Sequence, residues 1–560
     1  MNKFLKVAAS VLLVSLLAFT SACAQLPKSS DIKTGPNVEA GLETDYLYYS
    51  PSGPTDGDSQ EQILLGFLNA GTGPQNDYQV AREYLAEKFN NQWRPNQEVL
   101  VQDGRPTVTL TANNSATVIV PISATINERG QYQSVPAGTT RTIEVGFEKL
   151  GDNWRINNAP NLTMVIRPVF DVVFKAYAVY FLDNQLKHLV PDVRWFPSRA
   201  STSTRLVNAL IGGPSEWMQP AVKTAIPVGT RLTLSSVTVA NGIASVDLSS
   251  RALRASELNK KLLQVQIRET LLQLNSVYSV QVTIERGTLA TPSWGYAGTQ
   301  LQTTSPVALF SDGLVHVGTT PESKIEAPSS LIEELGATNF GINLDEKILA
   351  LSSPSGIYYS RIDRPTDDPI KLVSGQGYLA PVVDVDGYTW IIPSSGSRPV
   401  IVFDPKGVRI NFQSGWLSGA DRLSFAISSE GSRFVVVTGT HSLSQVRVAA
   451  IIRDDAGSPV GVGAPLSPVT SSATYSATWL DNIRIGVLET QASDYVQPIV
   501  SMIGGDNRSL PTFTSGTHIV GSGQASSVFV LDSLGSLFQF RGSSWMKVRE
   551  GVAALRYPGN

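Results

Sequence analysis

The alternation of apolar and polar positions changes twice along the chain and predicts three folded regions. In residues 39–165, two helical patterns precede segments with a period of two. The first helix is expected to begin at a capping-box-like pair, Asp58 and Glu61, and the second to run from Val80 to Phe89. Later segments such as ATVIVPISATI and TRTIEVGFEKL indicate antiparallel strands. This order of elements predicts an α+β domain with a curved, cone-like sheet.

Residues 166–300 mix strand and helix patterns again. FKAYAVYFLD and VYSVQVTIERG read as strands, and IASVDLS as a third. A short helix from Ser201 to Leu210 ends at a Gly-Gly-Pro stop signal, and a longer helix carries Leu258, Leu262 and Val265 on one face. These elements predict a second α+β domain.

Residues 301–560 show almost no helical periodicity. Short β-rich segments there are separated by dipeptides typical of hairpin turns. The six dipeptides are Asp312-Gly313, Ser355-Gly356, Asp386-Gly387, Glu430-Gly431, Asp481-Asn482 and Leu534-Gly535. Six turns over about 255 residues average near 43 residues per turn, which is near the length of a propeller blade. The region is therefore expected to be an all-β propeller of about six blades, with an array of β-sandwiches or an irregular β-domain as the alternative.

The N-terminus has the pattern of a signal peptide. Lys3 and Lys6 precede an apolar run of about 13 residues, which is too short to span a membrane. Ala22 and the only cysteine, Cys23, follow. We expect residues 1–22 to be cleaved between Ala22 and Cys23, and Cys23 to carry a diacylglycerol thioether and an N-acyl group. Residues 23–38 would form a lipidated tether. The alternative is an ordinary signal peptide with an incidental cysteine.

Composition and charge narrow the classes of partner and chemistry. The net charge is −3, and no basic stripe that could neutralise phosphates is present, so a nucleic-acid partner is not expected. A single cysteine excludes an intramolecular disulfide. The four histidines have no metal-ligand spacing. We therefore expect no enzyme activity, no metal and no cofactor.

Two short segments are candidates for chemistry or binding. Asp384 and Asp386 lie at i and i+2 and could form an acid–base or calcium pair, or they could simply belong to a blade turn. Arg194, Trp195 and Phe196 could form an exposed docking edge for a partner, because Arg and Trp are enriched at binding hot spots. The alternative is that these three residues pack into the core of the second domain.

Several strings resemble one family. Asp77-Tyr78, the segment from Ala81 to Leu85 and Trp93-Arg94-Pro95 resemble the N-terminal domain of actinobacterial LpqB lipoproteins. LIGGPS, AIPVGTRL and VDLS resemble the GerMN domain. Thr20-Ser21-Ala22-Cys23 resembles a lipobox, with Thr20 where the family usually has Leu. Lipobox, N-terminal domain, GerMN domain and propeller in this order cover essentially the whole chain.

The resemblance implies a function. It suggests an accessory lipoprotein, anchored by lipid at the outer face of the cytoplasmic membrane, that regulates a two-component system of the MtrA–MtrB type. Its expected partner is the extracytoplasmic domain of the sensor histidine kinase, with effects on cell envelope and division. Two other functions stay open: an envelope glycan- or solute-binding lipoprotein that uses the propeller mouth, and a propeller hydrolase.

Overall fold

A computed structural model describes most of the chain after residue 50. The described residues are 51–199, 201–289, 305–318, 322–326, 329–469, 473–492, 494–522 and 527–559. The predicted signal peptide, Cys23 and the tether lie outside them. Residues 47–560 belong to one compact unit, so the three regions can be described together.

The N-terminal region begins with helix α1, Gln60–Ala70. Its capping box is formed by Ser59 and Gln62, not by Asp58 and Glu61: the Ser59 hydroxyl accepts from the Gln62 amide, and the Gln62 side chain accepts from the Ser59 amide. The expected second helix is broken into α2, Gln79–Glu83, and α3, Glu87–Asn90. Between them the Ala86 amide donates to the Ile156 carbonyl of the sheet, which interrupts the helical hydrogen bonding.

A seven-stranded sheet packs against these helices. Its order is β6-β5-β3-β1-β7, and β2 and β4 also pair with the long strand β3. β1 and β7 are parallel, and the other pairs are antiparallel. The strands are β1 Glu98–Gln102, β2 Thr107–Thr111, β3 Ser115–Asn127, β4 Tyr132–Ser134, β5 Thr140–Leu150, β6 Asn153–Asn158 and β7 Thr163–Ile166. Buried positions alternate with half-buried or exposed ones along β3 and give one apolar face, whose first half packs against the helices.

The middle region has two small sheets, β10-β8-β9 and β11-β12-β13-β14, and three α-helices. One core encloses both sheets and the two longer helices. The helices are α4 Arg167–Val173, α5 Thr202–Ile211 and α6 Glu257–Leu271. The strands are β8 Phe174–Asp183, β9 Leu189–Pro197, β10 Val222–Lys223, β11 Thr238–Ala240, β12 Ile243–Leu248, β13 Ser279–Ile284 and β14 Gly287–Thr288. The predicted second α+β domain is confirmed.

The described residues from 305 to 559 form six sheets that we number as blades 1 to 6, so the expected propeller is also confirmed. Blade 1 is closed by the C-terminal strand β39, which pairs with β15 through Val307, Ala308 and Leu309. A helix, α7, Ser329–Leu335, joins blades 1 and 2. Blade 1 comprises β39 Ala554–Arg556, β15 Val307–Phe310, β16 Gly313–His316 and β17 Ser323–Ile325. Blade 2 comprises β18 Asn339–Ile342, β19 Ile348–Ser353, β20 Gly356–Arg361 and β21 Ile370–Ser374. Blade 3 comprises β22 Val382–Val383, β23 Thr389–Ile391, β24 Ile401–Phe403 and β25 Arg409–Ile410.

Blades 4 to 6 have longer strands, and blade 5 has a fifth strand paired with its third. Blade 4 comprises β26 Arg422–Ile427, β27 Arg433–Gly439, β28 Ser444–Arg453 and β29 Pro459–Val462. Blade 5 comprises β30 Thr474–Trp479, β31 Arg484–Ala492, β32 Tyr495–Met502, β33 Asn507–Ser509 and β34 Phe513–Thr514. Blade 6 comprises β35 Gly516–Val520, β36 Phe529–Asp532, β37 Leu537–Arg541 and β38 Ser544–Arg549. Apolar side chains between neighbouring blades form the propeller core.

Each predicted hairpin dipeptide falls in a different blade. Those at Asp386, Glu430 and Asp481 join the first and second strands of their blades, whereas those at Ser355 and Leu534 join the second and third. The uneven spacing of the dipeptides follows from this difference.

Candidate functional site

The blade topology separates the propeller turns into two opposite faces. In an antiparallel four-stranded sheet, consecutive turns alternate between the two ends of the strands. The turns between first and second strands and between third and fourth strands therefore share one face, and the turns between second and third strands form the other. We call the first the docked face and the second the free face.

The docked face of blades 3 to 5 lies against the middle domain. Asp386 in blade 3 forms an ion pair of 3.4 Å with Lys187. Arg433 in blade 4 donates to the Pro191 carbonyl over 3.4 Å. Trp217 packs against both the middle-domain core and the core between blades 4 and 5. An ion pair, a hydrogen bond and apolar packing thus join the propeller to the middle domain.

Trp195 joins all three domains. Its ring lies 5.5 Å from that of Tyr132 in the N-terminal domain and 5.1 Å from that of Phe170. Its Nε1 donates to the Gly504 carbonyl in blade 5 over 2.8 Å. The Trp195 amide donates to the Gly130 carbonyl over 2.7 Å, and Gly130 has a φ of 76°. The backbone and the side chain of one residue therefore connect the propeller to the N-terminal sheet.

A second connection centres on Asp506, in blade 5. One carboxylate oxygen accepts from the Tyr132 hydroxyl over 2.5 Å, and the other pairs with Arg167 at 2.5 Å. Burial and the adjacent Asp506 carboxylate raise the pKa of the Tyr132 hydroxyl well above its ordinary value. Tyr132 therefore remains a hydrogen-bond donor at physiological pH.

The three residues expected at a docking edge are buried. Arg194 is fully buried, with Nη1 2.6 Å from Asp192 and 2.7 Å from the Ser215 hydroxyl. Phe196 belongs to the core of the middle domain, and Trp195 to the cluster at the junction. The interpretation as an exposed edge for an external partner is wrong, because β9 is buried along its whole length. The alternative, packing into the middle domain, holds for Arg194 and Phe196.

A cavity of about 600 Å³ lies where the three domains meet. Neutral polar side chains from the N-terminal domain, including Gln131 and Gln133, line one side, and Trp217 lines another. Arg433 lines the propeller side. This arginine is fully buried and is held by Glu430 at 2.7 Å and by the Trp479 ring at 4.7 Å. The cavity thus combines amide groups with an aromatic surface and a fixed guanidinium.

Asp384 and Asp386 do not form a catalytic pair. Asp384 is fully buried and accepts from the Tyr388 amide and from Trp390 Nε1, and it pairs with Arg453 of blade 4 at 2.6 Å. Asp386 points to Lys187 at the docked face. The contacts with Tyr388 and Trp390 stabilise the turn of blade 3, and those with Arg453 and Lys187 join it to blade 4 and the middle domain, so the blade-turn interpretation fits the structure.

The free face carries exposed apolar side chains on three successive blades. Leu443, Tyr495 and Leu534 lie in or beside the turns between second and third strands of blades 4, 5 and 6, with exposed fractions of 71%, 56% and 86%. We call these three residues the apolar patch. Such side chains are more often buried, and several of them exposed on one face are consistent with an interaction surface.

Hydrogen bonds and ring contacts connect the turns that carry the patch. The Ser515 amide donates to the Asp494 carbonyl over 2.7 Å, and the Ser515 carbonyl accepts from the Ser533 amide over 3.0 Å. The His441 ring stacks on Tyr475 at 6.1 Å, and the Tyr475 hydroxyl donates to the Gly516 carbonyl. The three turns therefore form one continuous surface.

Family models match the three domains in chain order. They are described as "Lipoprotein LpqB, N-terminal domain" over residues 53–171, "Sporulation and spore germination" over 178–289 and "Lipoprotein LpqB beta-propeller domain" over 332–558. The chain belongs to the LpqB family. Its middle domain is the GerMN domain, as the sequence motifs indicated.

Similar LpqB proteins come from actinobacteria. A Lipoprotein LpqB of Thermobifida fusca is 28% identical over 422 residues, which cover 69% of this chain and 63% of the relative, less than two thirds of its length. A Lipoprotein LpqB of Bifidobacterium longum is 24% identical and is covered over 79% of its length, with 80% of this chain. A solved GerMN domain of the sporulation protein GerM from Bacillus subtilis matches 22% of this chain and 91% of its own, with 21% identity and a TM-score of 0.19.

The predicted cleavage and lipidation site of this LpqB-family chain lies near the N-terminus. Ala22 and Cys23 lie outside the described residues. Within the described part of the chain, no group of His, Cys, Asp and Glu side chains is arranged to hold a metal ion. No helix in that part is long and apolar enough to span a membrane. Neither the family descriptions nor the names of the relatives denote an enzyme activity.

Apart from Trp195, sequence reasoning missed the residues that form the junction. Tyr132, Gly504 and Asp506 lie in short turns and strands that carry no motif, and their partners are distant in sequence. Only the Gly504-Gly505 pair was a signal, and it indicated a turn rather than a contact. The apolar patch was easier to predict, because Leu534 directly precedes the glycine of a predicted turn and turns lie at the surface.

Proposed function

We propose that this LpqB-family protein is a regulatory interaction lipoprotein that binds the extracytoplasmic domain of a sensor histidine kinase of the MtrB type. Lipidated Cys23 would hold it at the outer face of the cytoplasmic membrane. Through the kinase it would influence cell-envelope and division behaviour. The kinase partner comes from the family resemblance, and the structure contributes a surface suited to binding a protein.

The apolar patch on the free face carries this proposal. Leu443, Tyr495 and Leu534 are exposed, belong to adjacent blades and stand on turns that are bonded to one another. Hot spots of protein interfaces combine aromatic and apolar anchors at the centre of a polar rim. Serine and aspartate residues in the same turns, such as Ser442, Asp494 and Ser533, supply polar groups around the patch.

The junction supports the proposal by fixing the orientation of this face. The described chain begins in the N-terminal domain, where the Ser52 carbonyl accepts from the Tyr84 hydroxyl over 2.9 Å. The bonds of Trp195 and Asp506 join that domain to blade 5. Since the free face is the opposite end of the same blade, it is presented in a constant position relative to the start of the described chain. A preorganised surface loses less freedom on binding.

The direct test is binding of detergent-solubilised full-length protein to the purified extracytoplasmic domain of the kinase. Leu534→Asp and Leu443→Asp place a charge in the patch, and we expect each to weaken binding at least tenfold. Val228→Asp is the matched control, because Val228 is 95% exposed and lies on the GerMN domain, outside the apolar patch. Equal binding by both patch variants and the control, or no binding by the unmodified protein, would contradict the proposal.

A second candidate function is binding of an envelope glycan or another solute, and the junction cavity favours it. Amide side chains such as Gln131 and Gln133 together with Trp217 are suited to hydroxyl groups and to the apolar face of a sugar. The site would be this cavity and not the propeller mouth. Muropeptides that bind there should raise the melting temperature of the protein and fail to do so with Gln133→Ala.

A further inference from the structure

A second cavity, of about 560 Å³, lies between the N-terminal domain and the GerMN domain. Arg94 and Arg129 line it from the N-terminal domain, and Arg205 lines it from helix α5. Arg94 and Arg129 are exposed, whereas Arg205 is half-buried. Three arginines from three separate segments thus line one space.

These arginines lack carboxylate partners among the described residues. Arg205 Nη2 donates to the neutral Asn96 Oδ1 over 2.8 Å, and its guanidinium lies 5.9 Å from the Phe196 ring centroid. No ion pair within the described part of the chain involves Arg94, Arg129 or Arg205. Glu128 is the one carboxylate that lines the cavity. The lining therefore carries three positive charges and one negative charge.

Burial, together with the nearby Arg199, lowers the pKa of Arg205 to about 10. Arg199 itself is occupied by the Pro74 carbonyl, to which its Nη1 donates over 2.6 Å. A cationic group that is desolvated and faces other cations gains most from an anion. Structural arginines elsewhere in this chain, such as Arg194 and Arg433, have carboxylates within 2.7 Å. The three arginines that line the cavity form no such ion pair within the described part of the chain.

We propose that this cavity binds a phosphate group, carried by a small hydroxyl-bearing molecule such as a glycerol or sugar phosphate. Guanidinium groups bind phosphate oxygens through paired N–H donors. Asn96, Gln97 and Asn208 in the lining supply neutral donors and acceptors for hydroxyl groups. A volume of this size holds a ligand larger than inorganic phosphate. Because the lining comes from two domains, the bound ligand would bridge them.

The test is calorimetric titration of the detergent-solubilised full-length protein with glycerol 3-phosphate, inorganic phosphate and glycerol. We expect the two phosphates to bind and glycerol not to bind. Arg129→Gln should weaken phosphate binding at least tenfold while leaving the melting temperature unchanged, because Arg129 is exposed. Arg205→Gln should weaken it at least as much. Arg105→Gln is the matched control, an exposed arginine of the same domain outside the cavity lining.

The two phosphate arms separate the sources of the ligand. Tighter binding of glycerol 3-phosphate assigns the site to an esterified carrier, and equal affinities assign it to free phosphate. The proposal is overturned if neither phosphate binds at 10 mM (about 2.7 kcal/mol of binding free energy). Unchanged binding in Arg129→Gln and Arg205→Gln would also overturn it.

Discussion

Replacing Trp195 should uncouple the propeller from the two N-terminal domains. Trp195→Ala removes a ring that contacts Tyr132 and Phe170 and a hydrogen bond to the Gly504 carbonyl. Truncation of a buried aromatic side chain costs about 3–5 kcal/mol. Leaving the Gly504 carbonyl without its donor costs about 1–3 kcal/mol, although part of this is already contained in the truncation cost. Trp195→Phe keeps most of the packing and should show mainly the hydrogen-bond loss.

Scanning calorimetry distinguishes uncoupling from general destabilisation. We expect the unmodified protein to unfold with its domains coupled, and Trp195→Ala to separate the transition of the propeller from that of the other domains. Trp545→Ala is the matched control, since Trp545 packs on Phe513 and Phe540 and its Nε1 donates to the Pro511 carbonyl over 2.9 Å, all within the propeller. It should lower propeller stability without separating transitions. An unchanged thermogram for Trp195→Ala would show that Trp195 does not couple the propeller to the other domains.

Three further sets of substitutions test the buried ion pair of Asp384, the titration of His518 and the lipidation of Cys23. Asp384→Asn should destabilise the propeller by about 3–5 kcal/mol in urea unfolding, because Arg453 would lose its buried partner. Asp386→Asn should cost less, because Asp386 lies 3.7 Å from Arg453 and its pair with Lys187 is partly exposed. Burial, and then the neighbouring Arg556, lowers the pKa of His518 from 6.5 to about 4. Because the unfolded state binds more protons in this range, the free energy of unfolding should fall by up to about 3 kcal/mol as the pH drops from about 6.5 towards 4. His518→Gln should flatten this pH profile. Cys23→Ala should leave a folded protein that is released from membranes or stays unprocessed, and unchanged membrane retention in fractionation would exclude the lipid anchor.

The propeller could be predicted from the sequence because its signals are local. Turn dipeptides such as Asp386-Gly387 and Leu534-Gly535 stand between β-rich segments, and each falls in its own blade. Closure of blade 1 by Ala554–Arg556 could not be predicted, since it pairs strands about 250 residues apart. The break between α2 and α3 was also missed, because the sheet bond of Ala86 replaces a helical one.

The site was harder to predict because its parts meet only after folding. Arg194, Trp195 and Phe196 were selected for their chemistry, but chemistry alone does not distinguish an external partner from another domain of the same chain. Trp195 does bind across an interface, although the interface is internal. Exposure decides such cases, and it depends on the packing of all three domains.

Site-specific photocrosslinking tests the proposed interface most directly, in intact membranes that contain both this protein and the sensor kinase proposed as its partner. A photoreactive residue at position 534, in the apolar patch, should crosslink to the kinase, whereas one at position 228, equally exposed on the GerMN domain, should not. Crosslinks to the kinase from position 228 but from none of positions 443, 495 and 534 would contradict the account.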